Sequence, residues 1–599
     1  MPANGGKPAA EASVDKLMIR YYVLDPTSQA YVALAKRASS TQWTYIDLVN
    51  THEDIDLSKY SPVNSKFGKN IFFNKNLLTD GKPCFVNITF GYDAHKTRGF
   101  TWVTTGYRNE YLQYRKEGES EWTTVESFKE GDGRDSKGRN WDSEIYNRIR
   151  NFTTDGTYFT VHKCLVDFEE PVERQKYIYR VGYEGYWSNE RSFEIRNRQD
   201  AIDKGFNYLH VTDQQGFNQE EYETWRLAAE FIKNKDPEEF DFIINTGDAT
   251  QNGNRINEWV DFFRTGDCLT SEYVQMYTVG NNDLCPAVPY VLGNGSELTK
   301  MNPINVEYFF TFEHPYEIPR ASSGKYIPCI YSFIYGDTYF LSMNSEITND
   351  AITNVFEHSG TNIYSENIKT WCEQDLTHLD DSINWKITYC HEAPFTILTD
   401  AVVEGYVEWY NSDRSKAEPD RGGTRMNTVG NYWFSKFLQD NGFNLCMCGH
   451  KHTYANSRYI REPEAGEDGI RHSMVIDVYD PEGENAAWYQ ALAETEKDYR
   501  ILVNVSSDLG TEEAPRHYVK YVMAQATGYK LTSNKELPGL HLPFLKEYYK
   551  VTPALKVNTG QQYPNYIIWN VGKGKETETE YLWNYTTNQL DNPETPTLS

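Results

Sequence analysis

The stretch from Leu209 to Asp283 decides the fold, because three short apolar runs each end there in residues able to bind a metal. Asp213-Gln214-Gln215 follows the first run, Gly247-Asp248 the second, and Gly280-Asn281-Asn282-Asp283 the third. Downstream, His391 and Gly449-His450-Lys451-His452 follow two more apolar runs. Ligands at the carboxyl ends of neighbouring strands converge in one crevice, where open α/β sheets place their sites. This mixture of carboxylate, amide and imidazole groups suits hard and borderline divalent cations.

Asp248 is the natural bridge between two adjacent cations. It sits on a tight turn with Gly247, and glycine lets the backbone turn sharply at the end of a strand. A lone Gly-Asp or Gly-His pair is common in turns and carries little information. Five such fragments in this order, each after an apolar run, indicate one metal centre.

The order Asp-x-Gln, Gly-Asp, Gly-Asn-Asn-Asp, His, Gly-His-x-His resembles that of the calcineurin-like metallophosphoesterases. Their usual pattern reads Asp-x-His, Gly-Asp, Gly-Asn-His-Asp/Glu, His, Gly-His-x-His, and the resemblance covers most of residues 205–460. It implies a phosphoric ester hydrolase, a phosphatase or a phosphodiesterase, in which two divalent ions activate a hydroxide. By the same resemblance one ion is held by Asp213, Gln215, Asp248 and His452, and the other by Asp248, Asn281, His391 and His450.

Two positions depart from the family pattern. Gln215 stands where His is usual, although its amide oxygen can still bind a metal. Asn282 replaces a His that helps to protonate the leaving oxygen, and an amide has no titratable proton near neutral pH. We place Asp248, Asn282 and Asp283 in the catalytic set and expect manganese, iron or zinc as the metal. The alternative is a catalytically degenerate phosphoesterase fold that acts as a structural or docking component of a larger assembly.

The chain is predicted to hold a four-layer α/β/β/α metallophosphoesterase sandwich preceded by a fibronectin-III-like β-sandwich. Residues 1–80 form an extension, either strands packed on the next domain or a docking site for an assembly partner. Residues 81–198 form the β-sandwich, residues 199–585 the catalytic domain with an insertion at about 487–560, and residues 586–599 a loose tail.

The β-sandwich rests on short alternating runs separated by turns. Tyr179-Arg180-Val181-Gly182, with Gly185-Tyr186-Trp187-Ser188, is similar to the end of the fibronectin-like domain that precedes purple acid phosphatase catalytic domains. An unrelated immunoglobulin-like sandwich is the alternative. Those phosphatases also carry a Tyr ligand three residues after the bridging Asp, where this chain has Gln251. The resemblance therefore implies a similar architecture with plain divalent metals.

Apolar periodicity predicts the elements between the motifs. Helices are expected over Glu220 to Lys235, Ile256 to Phe263, Glu366 to Leu379 and Asn431 to Asp440, and a further helix over Val519 to Ala526 within the insertion. Ser473 to Val478 and Tyr566 to Val571 are predicted to be strands that close the second sheet.

Charge and composition restrict the partners. The formal net charge is −27, so a nucleic-acid backbone is repelled over most of the surface, whereas a phosphorylated small molecule or a phosphodiester can still reach a metal centre. No run approaches the roughly 18 apolar residues of a membrane span, and the N-terminus lacks signal-peptide features. We expect a soluble protein, cytoplasmic or part of a larger particle.

Cys446 and Cys448 alternate on one strand and are predicted to be core residues rather than a disulfide or zinc pair.

Overall fold

Backbone and side chains are described mainly between residues 82 and 394, with shorter stretches after them. In the computed structural model these are residues 82–104, 110–127, 161–216, 221–234, 240–253, 258–283, 309–316, 319–320, 327, 329–345, 367–394, 434–450, 452, 518–530 and 566–572. The other helix and strand residues named below are described by their backbone alone.

Five strands precede residue 82. β1 (Leu17–Asp25), β2 (Gln29–Arg37) and β3 (Trp43–Asn50) form an antiparallel sheet, and β4 (Tyr60–Asn64) pairs antiparallel with β5 (Asn70–Asn74). The strands predicted for the extension are confirmed. Its docking role stays a prediction.

Seven further strands form two sheets that face each other. They are β6 (Cys84–Phe90), β7 (Thr97–Thr105), β8 (Tyr111–Lys116), β9 (Thr123–Glu126), β10 (Phe159–Asp167), β11 (Gln175–Gly182) and β12 (Arg191–Ile195), in the orders β10-β7-β6 and β12-β11-β8-β9. The ring of Phe100 on β7 lies 5.2 Å from Tyr179 on β11 and 5.5 Å from Phe193 on β12, so aromatic side chains fill the space between the sheets. A β-rich module is present here, and its fibronectin-like character stays a prediction.

The first sheet of the α/β region carries three of the predicted motifs. Its strands are β13 (Phe206–Val211), β14 (Phe242–Asn245), β15 (Gln275–Tyr277), β25 (Asn565–Gly572), β26 (Lys575–Asn584), β27 (Gln589–Asp591) and β28 (Thr597–Leu598). β13, β14 and β15 are parallel neighbours, so their carboxyl ends lie on one edge. β25 pairs antiparallel with the other side of β13.

The second sheet carries the histidine motifs. It contains β16 (Tyr331–Tyr335), β17 (Thr338–Ser342), β18 (Trp385–Tyr389), β19 (Leu445–Cys448), β20 (Tyr454–Arg461), β21 (Ile476–Tyr479), β22 (Val503–Ser506), β23 (Val519–Met523) and β24 (Tyr549–Thr552). β17, β18, β19 and β23 run parallel in that order. His391 and His450 therefore leave the sheet at the same edge.

The helices complete the predicted layers. They are α1 (Arg198–Lys204), α2 (Gln219–Lys235), α3 (Ile256–Thr265), α4 (Asp267–Thr270), α5 (Glu366–Leu376) and α6 (Trp433–Asp440). Phe340 of β17 packs 5.4 Å from Tyr208 of β13, whereas the hydroxyl of neighbouring Tyr339 donates to Asp375 of α5 at 2.6 Å. Successive side chains of one strand thus face the other sheet and an outer helix, as strand geometry requires. On the first sheet, Trp259 of α3 packs 6.4 Å from Tyr277 of β15.

A short aromatic segment, residues 309–312, packs between the β-module and the first sheet of the α/β region. On one side, the Asn87 amide donates to the Phe309 carbonyl at 2.7 Å, and the hydroxyls of Thr101 and Thr311 lie 2.7 Å apart. On the other side, Phe310 stacks on Tyr277 with ring centroids 4.7 Å apart. The β-module therefore supports the strand that leads into the Asn281 motif.

Two element predictions fail. Val519 to Ala526 was predicted to be helical, but β23 occupies the start of it and lies inside the second sheet between β19 and β20. Valine and tyrosine favour an extended chain here, and the run is buried throughout. The strand predicted over Tyr566 to Val571 exists, but it joins the first sheet instead of the second.

None of the helices in the described part of the chain has the length and apolarity to cross a membrane.

Candidate metal centre

Hydrogen bonds between strand ends bring the motifs together. The amide of Asp213 donates to the carbonyl of Gly247 at 2.9 Å, and the amide of Gln215 donates to the carbonyl of Asp248 at 2.9 Å. In the second sheet, the Gly449 amide donates to the His391 carbonyl at 3.0 Å. Between the sheets, the His450 amide donates to the Asp213 carboxylate at 2.9 Å. The edges of both sheets therefore meet at one place, as the alternation of apolar runs and ligand residues predicts.

Backbone conformation is unusual at this edge. Among the described residues other than glycine, six have positive φ, and four of them are predicted ligands: Asp213 (54°), Asp248 (57°), His450 (76°) and His452 (54°). Such conformations cost roughly 1–3 kcal/mol each and persist only where surrounding contacts impose them. In this structure the four residues with positive φ direct their side chains toward one point. Strained backbone of this kind clusters at functional sites.

All seven predicted ligands lie together. Six contacts of 2.9–3.3 Å join their side chains in a continuous chain: His452 to Asp213 (3.3 Å), His452 to Gln215 (3.3 Å), Gln215 to Asp248 (3.1 Å), Asp248 to His391 (3.3 Å), His391 to Asn281 (3.1 Å) and Asn281 to His450 (2.9 Å). Ligand atoms of Asp213, Asp248 and His452 all lie within 4.8 Å of one another.

The donors and acceptors in this cluster do not balance without a cation. The Nδ1 atom of His391 lies 2.8 Å from the Thr246 carbonyl, which can only accept, so Nδ1 carries the hydrogen. In the neutral ring, Nε2 is then an acceptor, and it faces two more acceptors, Asn281 Oδ1 and Asp248 Oδ2. A metal ion between such atoms resolves the repulsion, and a backbone carbonyl on the far nitrogen is the usual orienting partner of a metal-binding His.

Two buried oxygens support the same conclusion. Asp213 Oδ1 and Gln215 Oε1 are inaccessible to solvent, and neither accepts a hydrogen bond from the described part of the chain. A buried acceptor without a partner costs about 1–3 kcal/mol. Both atoms belong to residues assigned to the same ion, so a divalent cation fits this donor set.

Electrostatics keep the two central carboxylates ionised. Burial acts to raise the pKa of Asp213, but the imidazoles of His452 and His391 outweigh it and hold the pKa below its ordinary value. Burial acts in the same direction on the pKa of Asp248, and there His391 reverses it. When the imidazoles are neutral, a metal ion would supply the same positive charge, which favours the anionic form that metal ligands need.

Asp283 stands behind the cluster. Its carboxylate accepts hydrogen bonds from the backbone amides of Asp248 and Gly280 at 2.9 Å and of Thr250 at 3.0 Å. The hydroxyl of Tyr277 also donates to it, at 2.5 Å. Burial, with the nearby charge of Asp248, raises the pKa of Asp283 to about 6. These contacts make Asp283 a support of the Asp248 turn, and the catalytic role predicted for it stays a prediction.

Asn282 contacts the centre directly. Its backbone amide donates to Asp248 Oδ1 at 2.8 Å, and its side-chain amide donates to Asp248 Oδ2 at 2.5 Å. Its side-chain oxygen accepts from Gln251 at 2.6 Å. Gln251, where the related phosphatases carry a Tyr ligand, thus orients Asn282. This pairing of two amides was not predicted.

Several other supporting residues were not predicted from the sequence. The Thr212 hydroxyl donates to Asp213 at 2.9 Å, and the Thr527 amide donates to the Thr212 carbonyl at 2.9 Å. The α-carbon of Gly449 leaves no room for a side chain, because a Cβ there would collide with Thr212 and with the Asp213 carboxylate. Only the Gly449 position carried a signal, since it lies in the Gly-His-x-His motif.

One region of the chain matches a family model, and the chain is similar in fold to a solved structure. Residues 206–454 match the sequence model of the calcineurin-like phosphoesterase family. Among solved structures, the chain is similar to the purple acid phosphatase PPD1 from yellow lupin (Lupinus luteus) seeds, with a TM-score of 0.51 and 14% identity over 95% of this chain and 79% of that one. A structure of PhoD overlaps with a TM-score of 0.46 and 9% identity over 87% and 90% of the two chains. No curated protein matches the sequence.

Proposed function

Because residues 206–454 form a calcineurin-like phosphoesterase domain, we propose that this protein hydrolyses phosphoric esters with two divalent metal ions held by the seven-residue cluster. The observation that carries the proposal is the buried oxygen Gln215 Oε1, which accepts no hydrogen bond from the described residues, beside Asp213 Oδ1, which lies 3.3 Å from His452 Nε2. A bound divalent ion would satisfy these buried oxygens, whereas a buried acceptor without a partner costs about 1–3 kcal/mol.

The contacts support a division of the cluster into two ligand sets. His452 contacts both Asp213 and Gln215, and Gln215 reaches Asp248. Asn281 contacts both His391 and His450, and His391 also reaches Asp248. Asp248 is the residue common to both sets. It is the bridging ligand in this proposal.

Bound divalent ions would lower the pKa of water in the site and neutralise charge on a phosphate group. The chain itself contributes fixed positions and protonation states. His391 keeps its hydrogen on Nδ1 through Thr246, which leaves Nε2 directed at the centre. Asn282 holds Asp248 through two hydrogen bonds, so the carboxylate cannot rotate freely.

The substrate proposed is a phosphorylated small molecule or a phosphodiester. The family acts on phosphoesters, and a net charge of −27 opposes binding of a nucleic-acid backbone. Asn282 cannot protonate a leaving oxygen, because its amide does not titrate near neutral pH. The enzyme is therefore best suited to esters whose leaving group departs without a proton.

We expect purified protein with added manganese to hydrolyse an aryl phosphate at least about 100-fold faster than an alkyl phosphate, since general acid catalysis contributes roughly 10²–10⁴-fold. In the Asn282→His variant, alkyl phosphate turnover should rise about tenfold while aryl phosphate turnover changes little. Turnover of aryl and alkyl monoesters and diesters, measured with manganese, zinc or iron and then with chelator, checks this expectation.

Asn189→His is the matched control, because Asn189 is exposed on the β-module. It should leave both rates unchanged. Hydrolysis of neither ester class with any of the three metals, by protein that is folded, would contradict the proposed activity and favour a scaffold role. Equal rates for aryl and alkyl esters in the wild type would instead contradict the role given to Asn282.

A further inference from the structure

Three cysteines meet behind the histidine ligands. Cys390 directly follows β18, and Cys446 and Cys448 lie on the neighbouring strand β19. Their Sγ atoms are 3.9 Å (Cys390 to Cys446), 3.7 Å (Cys390 to Cys448) and 3.7 Å (Cys446 to Cys448) apart. All three side chains are fully buried. Residues two apart on a strand share a face, so β19 presents both of its thiols to the one at the end of β18.

The spacing of this cysteine triangle matches metal coordination. A disulfide needs sulfurs about 2.05 Å apart, which none of the three pairs approaches. Zinc binds thiolates at about 2.3 Å in a tetrahedron, which places its sulfur ligands about 3.8 Å from each other. The three separations of 3.7–3.9 Å equal that edge. A single ion can therefore contact all three sulfurs without movement of either strand.

The ligand type determines the class of ion. Among the described residues, no carboxylate or imidazole joins the cysteine triangle as a fourth close ligand. Purely sulfur ligands select soft ions such as Zn²⁺ and Cu⁺ over manganese, magnesium or calcium. The triangle thus differs in chemistry from the oxygen- and nitrogen-rich centre of Asp213 and Asp248.

We propose that Cys390, Cys446 and Cys448 bind one thiophilic ion, Zn²⁺ or Cu⁺, at a second and structural site. The thiolate is the form that binds metal, so the three thiol protons are released on binding. The ion joins β18 to β19, the strands that deliver His391 and His450 to the catalytic edge. It fixes the spacing of those two strands and takes no part in hydrolysis.

Cadmium is a suitable probe because its thiolate complexes absorb in the ultraviolet and its oxygen or nitrogen complexes do not. The full chain is expressed with cadmium in the medium, purified under reducing conditions and measured for cadmium content and sulfur-to-cadmium absorption. We expect the wild type to show the band, and Cys446→Ala to lose at least about two thirds of its intensity. Cys372→Ala is the matched control, because Cys372 is also fully buried but contacts Met343 instead. It should keep the band.

No band in the wild type, or equal bands in Cys446→Ala and Cys372→Ala, would overturn the proposal and leave the triangle as packed thiols. If Cys446→Ala does not fold, Cys448→Ser provides the same comparison with less change in volume. Protein from zinc- and copper-supplemented cultures then distinguishes the two ions, since X-ray absorption should show sulfur neighbours around only the one that the triangle binds.

Discussion

Replacement of Asp248 by alanine should abolish hydrolysis, with kcat/KM falling by about 10³-fold or more, or roughly 4 kcal/mol of transition-state stabilisation. The Asp248 carboxylate contacts side chains of both proposed ligand sets, Gln215 at 3.1 Å and His391 at 3.3 Å. Its loss removes the shared ligand and one negative charge from the centre. Steady-state kinetics on an aryl phosphate, with metal content measured on the same samples, gives the comparison.

Two further variants separate charge from packing in this experiment. Asp248→Asn keeps the shape of the side chain and should lose nearly as much activity, because the amide cannot replace an anionic bridge. Asp375→Asn is the control, since Asp375 is also buried but lies on the outer helix α5, where it accepts from Tyr339. Activity in Asp248→Asn within tenfold of Asp375→Asn would show that Asp248 does not bridge two ions.

The second large effect is expected at Asp283 and concerns stability. Asp283→Ala leaves the backbone amides of Asp248, Thr250 and Gly280 and the hydroxyl of Tyr277 without their acceptor. Buried donors without partners cost about 1–3 kcal/mol each, and partial relaxation reduces the sum. We expect the free energy of unfolding to fall by about 3–5 kcal/mol, measured by chemical denaturation.

Asp375→Ala is the reference variant with which the free energy of unfolding of Asp283→Ala is compared. It removes an acceptor from Tyr339 in a similarly buried place and should cost less, about 1–2 kcal/mol. An Asp283→Ala variant as stable as Asp375→Ala would mean that Asp283 does not support the Asp248 turn. That result would favour the direct catalytic role predicted for Asp283.

The motif order predicts the centre because each ligand is marked by the residues that directly precede it in the sequence. Each ligand follows an apolar strand, and parallel strands in an α/β sheet bring their carboxyl ends to one edge. The position of Asp213, Asp248 and His450 therefore follows from the pattern alone. Their positive φ angles could not be read from it, since contacts between distant strand ends impose them.

The errors arise where structure depends on distant partners. Val519 to Met523 has apolar residues at spacings compatible with a helix, and only its position between β19 and β20 makes it a strand. The hydrogen bonds that Asp283 accepts from the backbone amides of Asp248 and Gly280 likewise could not be predicted from its place in the motif. The cysteine triangle joins positions 56 residues apart, which spacing along the chain does not show.

Anomalous scattering from crystals grown with manganese tests the central claim most directly, because it locates the ions. The account predicts two peaks about 3.5–4 Å apart, one beside Asp213, Gln215 and His452, the other beside Asn281, His391 and His450, with Asp248 between them. Well-ordered crystals without a peak among these seven side chains would contradict it.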